Sequence, residues 1–251
     1  MLWTRRLVRA SLGIAATLAL CVVWFAGLPF TWGSAARRKR WRGFVFRAWS
    51  RSVLWCLSIR VRVRGSLPTG PCFLVANHLG YADIWVIASQ TNAMFVSMAE
   101  LEGWPLFGLM ARQFGTIFID RDRKRDIPAV NAQMDAAFEA GYVVVLFPEG
   151  RHSRGANVLP FRPSLLASAA KDDRPIAWAT LRYETGPGDP PASQTIPWVG
   201  VPLLGQALGL LALERIEAEI VFGDEHVRGD DRKWLAEELH ARISRAFTPL
   251  E

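Results

Sequence analysis

The sequence is poor in cysteine and has no acidic residue in its first quarter. Its three cysteines, Cys21, Cys56 and Cys72, are too few and too scattered to frame a disulfide-stapled domain or a zinc site. We therefore expect the folded part to face a reducing compartment. With 51% apolar residues, 21% charged residues and only 15 prolines, the chain is neither disordered nor collagen-like. Its 251 residues are enough to bury a full-sized core.

Positive charge is concentrated near the N-terminus. Of the 30 Lys and Arg residues, 13 lie between Met1 and Arg64, where there is no Asp or Glu. The rest of the chain carries 17 basic and 23 acidic side chains. Binding to a nucleic-acid backbone needs a basic surface on the folded domain. This distribution argues against a nucleic-acid partner and favours an anionic membrane.

A long apolar segment follows the arginines at positions 5, 6 and 9. Residues Ala10 to Ala36 are uncharged, and the 19 residues from Ala10 to Leu28 are the most apolar. At about 1.5 Å per helical residue, this length nearly matches a hydrocarbon core of about 30 Å. The ending AGLPF lacks a convincing signal-peptidase site, which favours a retained membrane helix. Because basic residues flank both ends, a re-entrant or interfacial hairpin fits as well as a span.

The next segment predicts a helix at a lipid surface. At helical spacing, Arg40, Arg47 and Arg51 share a narrow stripe. The apolar face beside this stripe is formed by Trp41, Phe44, Val45, Ala48 and Trp55. Basic residues beside tryptophans are typical of an interfacial helix, and a core-packing helix with a solvated basic edge is the alternative. We predict membrane-associated helices over residues 1–58 and a second domain over residues 59–251.

From about Ile59 the pattern changes to short apolar runs that alternate with amphipathic helices, as in an α/β domain. The predicted strands are IRVRVRG, PCFLVA, AMFVSM, GTIFID, YVVVLF, IAWATL and EAEIVFG. The predicted helices cover about Asp83 to Gln90, Pro105 to Gln113, Ile127 to Ala140, Ser164 to Lys171 and Asp231 to Phe247. Residues Glu184 to Gln194 are predicted to form a loop.

A polar cluster, NHLGYAD, follows the strand PCFLVA and leads into a helix. Strand ends are where an α/β sheet presents its ligand-binding residues. A turn that contains Gly80 can bring Asp83 back to His78. A carboxylate on one imidazole nitrogen fixes the tautomer, and the other nitrogen can then take a proton from a hydroxyl. The cluster predicts a general base with its orienting partner, with a structural His–Asp pair as the alternative.

Two further clusters follow later strands. Arg121 closes the strand GTIFID, and a guanidinium at a strand end is a good bidentate partner for phosphate. The charges that follow it are expected to be solvated. After YVVVLF, Glu149 and Gly150 suit the wall of a polar pocket, because glycine allows close backbone approach. Pro175 opens a later strand.

The order and spacing of these clusters resemble the lysophospholipid acyltransferase family, of the bacterial 1-acylglycerol-3-phosphate acyltransferase type, from about Val61 to Gly223. NHLGYAD, GTIFIDR, FPEG and Pro175 are similar to that family's four motifs. The stretches WPLFG and VLPFRPSLL are similar to its lyso-ornithine-lipid branch. The resemblance implies a mixed sheet flanked by helices and preceded by a membrane helix or helical hairpin.

The resemblance also implies roles for individual residues. His78 corresponds to the base, Asp83 to its partner, and Arg121 to the glycerol-phosphate ligand. The other residues expected to bind the acceptor are Asn77, Glu149 and Gly150.

Two positions depart from the family pattern. Arg151 and His152 follow FPEG where Thr-Arg or Thr-Thr is usual, and Met98 fills a position that is often lysine. Either Arg151 or Arg154 supplies the missing positive charge, or the acceptor is not a phosphomonoester.

Three functions are compatible with these residues. The first is acyl transfer from acyl-CoA or acyl carrier protein, as co-substrate, to the free hydroxyl of a lysophospholipid. Its expected acceptor is 1-acyl-sn-glycerol-3-phosphate, with lyso-ornithine lipid as the alternative, and it requires no metal, cofactor or covalent enzyme intermediate. The second is a non-catalytic, membrane-anchored module that binds anionic lipid. The third is a serine hydrolase that uses Ser153, although HSRG lacks the Gly-x-Ser-x-Gly elbow.

For the acyltransferase, we expect an inner-membrane location with the catalytic domain on the cytoplasmic face. Membrane lipids and the lysophospholipid acceptor are its expected partners.

Overall fold

The computed structural model describes residues 2–104, 107–119 and 127–251. Two long helices, α1 (Leu2–Gly27) and α2 (Ala35–Cys56), form a hairpin that precedes an α/β body. The strands are β1 (Ile59–Arg64), β2 (Cys72–Ala76), β3 (Ala93–Met98), β4 (Ile117–Ile119), β5 (Val143–Leu146), β6 (Ile176–Thr185) and β7 (Ile216–Phe222). The other helices are α3 (Ala82–Gln90), α4 (Phe107–Gln113), α5 (Ile127–Glu139), α6 (Ala192–Thr195), α7 (Leu203–Ala212) and α8 (Arg232–Ala246).

The described strands form one sheet in the order β1-β7-β6-β2-β5-β3-β4. From β6 to β4 all neighbours are parallel, whereas β7 runs antiparallel to β6 and β1 runs parallel to β7. The sheet is therefore mixed, which confirms the predicted fold class. The carboxyl ends of the central parallel strands meet at one edge, where polar residues from β2 and β5 come together.

Both faces of the sheet are apolar. Along β2, Cys72, Leu74 and Ala76 belong to one buried cluster and Phe73 and Val75 to the other, as the alternation of strand side chains requires. Residues of α1, α2, α3 and α7 complete the first cluster. Residues of α5 and α8 complete the second. The hairpin therefore packs into the same core as the sheet, although the change from helix to strand falls at the predicted boundary near residue 58.

The strand predictions are confirmed, and one predicted helix is wrong. Instead of a helix over Ser164 to Lys171, the chain forms short 3-10 turns at Pro163–Leu166 and Lys171–Asp173. Leu166, Ala169 and Ala170 are buried at the spacing of an amphipathic helix, which explains the prediction, but Asp172 has a φ of +55° and the backbone is not continuously helical there. The helix predicted from Pro105 is described only from Phe107.

The structure also contains elements that the sequence pattern did not reveal. Helix α7 has the sequence LLGQALGLLA, which is apolar on nearly every side and has no polar face to give a helical period. The predicted loop over Glu184 to Gln194 is shorter than expected, because β6 extends to Thr185 and α6 begins at Ala192.

Helix α2 has one buried and one exposed face. Val45, Phe46 and Trp49 lie in the core, whereas Phe44 and Trp55 are exposed. The prediction that Val45 shares the exposed apolar face is therefore wrong. Phe44 and Trp55 instead lie on the exposed face that carries Arg40 and Arg51. Each alternative for α2 thus describes one of its faces.

Several basic residues of the hairpin hold it to the α/β body. Arg9 donates to the carbonyls of Leu211 and Leu213 at the end of α7. Lys39 donates to the carbonyls of Ala140 and Gly141, just after α5. Because a helix C-terminus carries partial negative charge and unpaired carbonyls, each contact stabilises the docked hairpin.

A fully buried arginine adds to these contacts. Arg42 donates from Nε to the Phe114 carbonyl at 2.8 Å and from Nη1 to the Asn92 side chain at 2.8 Å. Its guanidinium also lies over the Tyr142 ring. These groups satisfy the buried cation and fix α2 against the ends of α3 and α4.

Helix α1 is, within the described ranges, the helix with the length and apolar composition needed to cross a membrane, with a mean hydropathy of 2.0. It nevertheless contacts the α/β body at both ends. Arg9 binds the end of α7, and Trp24 is buried and donates to the Gln113 side chain at 3.0 Å. One side of α1 is therefore covered by protein along most of its length.

Candidate active site

His78 lies in the turn after β2, and the loop after β5 holds its backbone on both sides. Its N–H donates to Glu149 Oε1 at 2.7 Å, and its carbonyl accepts from the Ser153 N–H at 2.8 Å. The imidazole stacks on the Phe147 ring with a centroid distance of 3.9 Å, and the tilted His152 ring lies 4.1 Å away. The histidine ring is therefore fixed at the edge where the parallel strands end.

Asp83 is completely buried and accepts four hydrogen bonds. Its Oδ2 is 2.8 Å from His78 Nδ1 and also accepts from the backbone N–H groups of Leu79 and Gly80, at 2.7 and 3.0 Å. Its Oδ1 accepts from the Tyr183 hydroxyl at 2.7 Å. The predicted approach of Asp83 to His78 through a glycine turn is confirmed.

This arrangement decides which imidazole nitrogen can act as a base. An ionised carboxylate can only accept hydrogen bonds, so His78 Nδ1 carries the proton that it shares with Asp83. His78 Nε2 then has a lone pair, while the carboxylate stabilises the imidazolium that forms on protonation. The pair has the geometry of a general base and its orienting partner.

The close packing of the turn explains why Gly80 is needed. A Cβ at this position would lie 2.8 Å from the backbone carbonyl oxygen of Ile196. The Trp198 N–H also donates to the Leu79 carbonyl at 3.0 Å. The segment after α6 therefore covers the His78 turn and brings Trp198 to the site.

Glu149 is buried, and both of its carboxylate oxygens accept from the backbone. Oε1 binds the His78 N–H, and Oε2 binds the Leu159 N–H at 3.0 Å. Burial raises the pKa of Glu149 to about 7, against the opposing effect of these two hydrogen bonds. Glu149 therefore holds the backbone of the His78 turn in place. It does not line the pocket, contrary to the expectation from the sequence.

Gly150 lines the pocket beside His78 and has a φ of +68°, which favours glycine. A Cβ there would lie 3.0 Å from Arg162 Nε. The Arg162 side chain therefore packs directly over Gly150. Arg162 is exposed and does not itself line the pocket, and it was not among the predicted site residues.

The other predicted site residues lie further from the pocket or are already paired. Asn77 uses its amide on the backbone of Leu181, with Nδ2 donating to the carbonyl at 3.0 Å and Oδ1 accepting from the N–H at 2.8 Å. It therefore ties the end of β2 to β6. Arg151 and Arg154 are exposed and do not line the pocket beside His78. Arg121 lies outside the described residues.

The structure adds aromatic residues that sequence reasoning missed. His152, which takes the position where the family pattern has Arg or Thr, places its ring against His78. Tyr183 reaches Asp83 from β6, across 100 residues of sequence. Burial and the adjacent Asp83 charge raise the pKa of Tyr183, so its hydroxyl remains a donor. The strand alternation of β6 places Tyr183 on a buried face, but no local motif marks it.

Two neighbouring cavities share part of their lining, and the smaller one contains His78. The smaller has a volume of about 50 Å³ and is lined by His78, Gly150 and His152, among others. The larger, of about 450 Å³, lies between the hairpin and the sheet and is lined mostly by apolar side chains of α1, α2, α3 and α7. The residues that line both cavities are Tyr81, Ile84, Phe95, Ser97 and Leu101. A ligand of mixed polarity can therefore place its polar end at His78 and an apolar chain under the hairpin.

Residues 58–180 match the family described as Acyltransferase. The lyso-ornithine lipid O-acyltransferase of Rhizobium meliloti (strain 1021) is 30% identical over 227 residues, which cover 84% of this chain and 76% of that protein. The chain belongs to the acyltransferase family. It is an O-acyltransferase of the lysophospholipid type, and His78 and Asp83 stand where the family motif is matched.

Other acyltransferases resemble the chain over similar lengths. The 1-acyl-sn-glycerol-3-phosphate acyltransferase of Neisseria meningitidis serogroup B is 29% identical over 195 residues, covering 77% of this chain and 76% of that protein. The crystal structure of the 1-acyl-sn-glycerophosphate acyltransferase PlsC from Thermotoga maritima matches with a TM-score of 0.57 and 19% identity, covering 95% and 97% of the two chains. At that identity the match shows a shared fold, which includes the region of the hairpin.

The raised pKa of Glu149 predicts a specific pH effect on the acyltransferase. Below pH 4.5, the usual carboxyl value, Glu149 is protonated in both folded and unfolded chains; between 4.5 and about 7 only the folded chain keeps the proton. Folding stability from this residue therefore falls as the pH rises through that window, by at most about 3 kcal/mol. The unfolding midpoint of wild type should fall relative to that of Glu149→Gln between pH 4.5 and 7. Parallel melting curves for the two proteins across this range would contradict the assignment.

Proposed function

We propose that this acyltransferase moves a fatty acyl group from an acyl thioester to the free hydroxyl of 1-acyl-sn-glycerol-3-phosphate, which produces phosphatidic acid. The single observation that supports the chemistry best is the His78–Asp83 contact of 2.8 Å beside a cavity large enough for an acyl chain. The donor is acyl-CoA or acyl carrier protein, used as a co-substrate, and the reaction needs no metal or other cofactor.

In the proposed mechanism, His78 Nε2 takes the proton from the acceptor hydroxyl. The hydroxyl oxygen then bonds to the thioester carbonyl carbon, and the carbonyl electron pair moves to its oxygen. When this tetrahedral intermediate collapses, the carbon–sulfur bond breaks and the departing thiolate takes the proton from His78. Asp83 stabilises the imidazolium between these two steps.

The apolar cavity under the hairpin suits the acyl chain. Its volume of about 450 Å³ falls within the usual range of ligand pockets, and its lining is mostly aliphatic and aromatic. Because it shares five lining residues with the pocket at His78, a chain that crosses this shared wall can present a carbonyl to the base. This arrangement supports a long-chain acyl substrate.

Cations near the pocket support an anionic headgroup. Arg162 packs over Gly150, which lines the pocket, and Arg151 and Arg154 belong to the loop that binds the His78 backbone. We propose that Arg121, Arg162 and one arginine of this loop contact the acceptor phosphate. Charge-assisted hydrogen bonds of this kind contribute about 1.5–3 kcal/mol each.

A lyso-ornithine lipid is the second candidate acceptor. One reason is the 30% identity to the Rhizobium meliloti enzyme. The other is His152, which lies beside His78 at a position where the family usually has Arg or Thr. Both candidates offer a hydroxyl to the same base, so the mechanism above applies to each.

The other functions considered from the sequence are less well supported. Family membership favours an enzyme over a non-catalytic lipid-binding module. For a serine hydrolase, the Ser153 hydroxyl would have to face the pocket, but it accepts from the Gly155 N–H and Ser153 does not line the pocket beside His78.

We further propose that the hairpin is immersed in one leaflet of the inner membrane, with the catalytic domain on the cytoplasmic face. Contacts at both ends of α1 hold it along the α/β body, which disfavours a helix surrounded by lipid. Its outward face is mostly apolar, and large apolar side chains are also exposed in the turn and on α2: Leu7, Ile14, Leu18, Val22, Phe30, Trp32, Phe44 and Trp55. Arg40 and Arg51 lie beside them, where anionic headgroups are expected.

The base assignment predicts that His78→Ala slows acyl transfer by about 100- to 10,000-fold. Purified protein in detergent should be given labelled acyl-CoA with either 1-acylglycerol-3-phosphate or a lyso-ornithine lipid, and the products identified by mass spectrometry. His240→Ala, a histidine on α8 across the sheet, serves as the control and should keep wild-type activity. A folded His78→Ala protein with more than a tenth of the wild-type rate would show that His78 is not the base.

The same assay of the wild-type protein tests the acceptor. Faster use of the lyso-ornithine lipid than of 1-acylglycerol-3-phosphate would overturn the phosphate assignment.

The membrane orientation predicts that the combined variant Arg40→Gln, Arg47→Gln and Arg51→Gln floats less efficiently with anionic vesicles at low salt. Each such charge contributes about 1 kcal/mol near an anionic surface and is screened by salt. The matched control replaces Arg232, Lys233 and Arg245 of α8, on the opposite side of the sheet, and should float like wild type. Equal, salt-independent flotation of both variants would contradict the proposed orientation.

A further inference from the structure

Tyr81 occupies the wall between the two cavities. It belongs to the turn between His78 and Asp83 and contributes to the lining of both the small pocket and the large apolar cavity. The centre of its ring lies 4.2 Å from that of Trp198, 5.9 Å from that of Trp104 and 6.0 Å from that of His152. Three aromatic neighbours therefore fix the position of the ring.

The Tyr81 hydroxyl is shielded from solvent and has no hydrogen-bond partner in the part of the chain that the structure describes. A buried polar group without a partner destabilises the folded protein. The neighbouring polar groups of the turn, by contrast, are paired: the N–H groups of His78, Leu79 and Gly80 all bind carboxylates. An unpaired donor at the centre of an otherwise satisfied site needs an explanation.

Burial raises the pKa of Tyr81, so the hydroxyl keeps its proton at any pH at which the enzyme works. It can therefore act as a hydrogen-bond donor but not as a base. The group that it would bind has to carry an acceptor atom and has to reach the boundary between the two cavities.

The acyl thioester meets both requirements if the proposed function holds. Its chain lies in the apolar cavity and its carbonyl carbon lies beside His78, so the ester end crosses the wall that Tyr81 shares with Ile84, Phe95, Ser97 and Leu101. Because the hydroxyl is shielded from solvent, this wall has to part when the ester enters before the carbonyl oxygen can reach the hydroxyl. A donor is most valuable there, because negative charge develops on that oxygen in a water-poor site.

We propose that Tyr81 donates a hydrogen bond to the thioester carbonyl oxygen and stabilises the oxyanion formed during acyl transfer. The acceptor oxygen adds to the carbonyl carbon, the electron pair of the carbon–oxygen double bond moves to oxygen, and Tyr81 shares its proton without releasing it. When the carbon–sulfur bond breaks, the electron pair returns and the thiolate receives the proton held by His78. Tyr81 is thus a catalytic residue in addition to the His78–Asp83 pair.

Tyr81→Phe tests this role, because it removes only the hydroxyl. Loss of one oxyanion donor lowers kcat by about 100- to 1,000-fold. The KM for acyl-CoA should change by less than about threefold, since the bond strengthens mainly in the transition state. The melting temperature should not fall, because the variant loses an unpaired buried group. A purely structural tyrosine would show the reverse, a lower melting temperature with little change in kcat.

Tyr142→Phe is the matched control. It removes a hydroxyl from a ring that lies under Arg42 and does not line either cavity, so its kcat should equal that of wild type. If Tyr81→Phe fails to fold, 4-aminophenylalanine and 4-methoxyphenylalanine at position 81 replace it. The amine restores a donor and should keep activity, whereas the methoxy group has oxygen but no proton and should lower kcat.

A folded Tyr81→Phe protein with kcat within about threefold of wild type would overturn the proposal, as would equal rates for the amino and methoxy proteins. The wild-type assay separates this failure from failure of the proposed function. If wild type acylates neither lysolipid, the proposed function is wrong. If wild type and Tyr81→Phe acylate one equally well, only the Tyr81 role is wrong.

Discussion

The buried Asp83 carboxylate is the group on which the arrangement of the site depends. A charge with no solvent contact is tolerated only when donors surround it, and Asp83 has four: His78 Nδ1, two backbone N–H groups of the turn, and the Tyr183 hydroxyl. The donors come from the turn after β2 and from β6, whereas Asp83 itself lies at the start of α3. Loss of any one of these elements would leave the charge partly unpaired.

The fold is built so that these elements meet. Asn77 ties the end of β2 to β6, which brings Tyr183 within reach of Asp83. Glu149 binds the His78 N–H from the loop after β5. Because β2 lies between β5 and β6 in the sheet, both neighbours act on the same turn. The result is a histidine whose backbone, ring plane and tautomer are each set by a different contact.

The hairpin completes the site rather than only anchoring it. Arg9, Lys39 and Arg42 bind carbonyls of the α/β body and hold α1 and α2 over one face of the sheet. The large apolar cavity lies in the space between them. The basic residues of the N-terminal segment thus fall into two groups. Some bind the α/β body and dock the hairpin, while Arg40 and Arg51 remain exposed.

Much of the fold could be predicted from the sequence, because its strands are short, apolar and separated by clear turn signals. The His78–Asp83 contact was also predictable, since only four residues, one of them the glycine of the turn, separate the pair. Tyr183 was not, because a contact across 100 residues depends on strand order, which the local pattern does not contain. Helix α7 was missed because its apolar residues show no period, and Val45 was misplaced because a helix with apolar residues on both faces does not reveal which one is buried.

Sequence was least informative about the direction in which polar side chains point. Glu149 and Asn77 were expected to bind substrate, yet both are paired with backbone groups. Arg151 was expected at the headgroup, but the next residue, His152, is the one that reaches His78. Along an irregular loop there is no fixed period, so neighbouring side chains point in directions that only tertiary contacts determine.

The central claim is that Asp83 holds His78 in the tautomer that leaves Nε2 as the base. Nitrogen-15 NMR of histidine-labelled protein tests it directly, because the chain has only four histidines and the His78 signals can be identified by their loss in His78→Gln. At a pH where the ring is neutral, we expect a protonated Nδ1 and an unprotonated Nε2, and we expect this preference to weaken in Asp83→Asn. A protonated Nε2 in the wild-type protein would contradict the account.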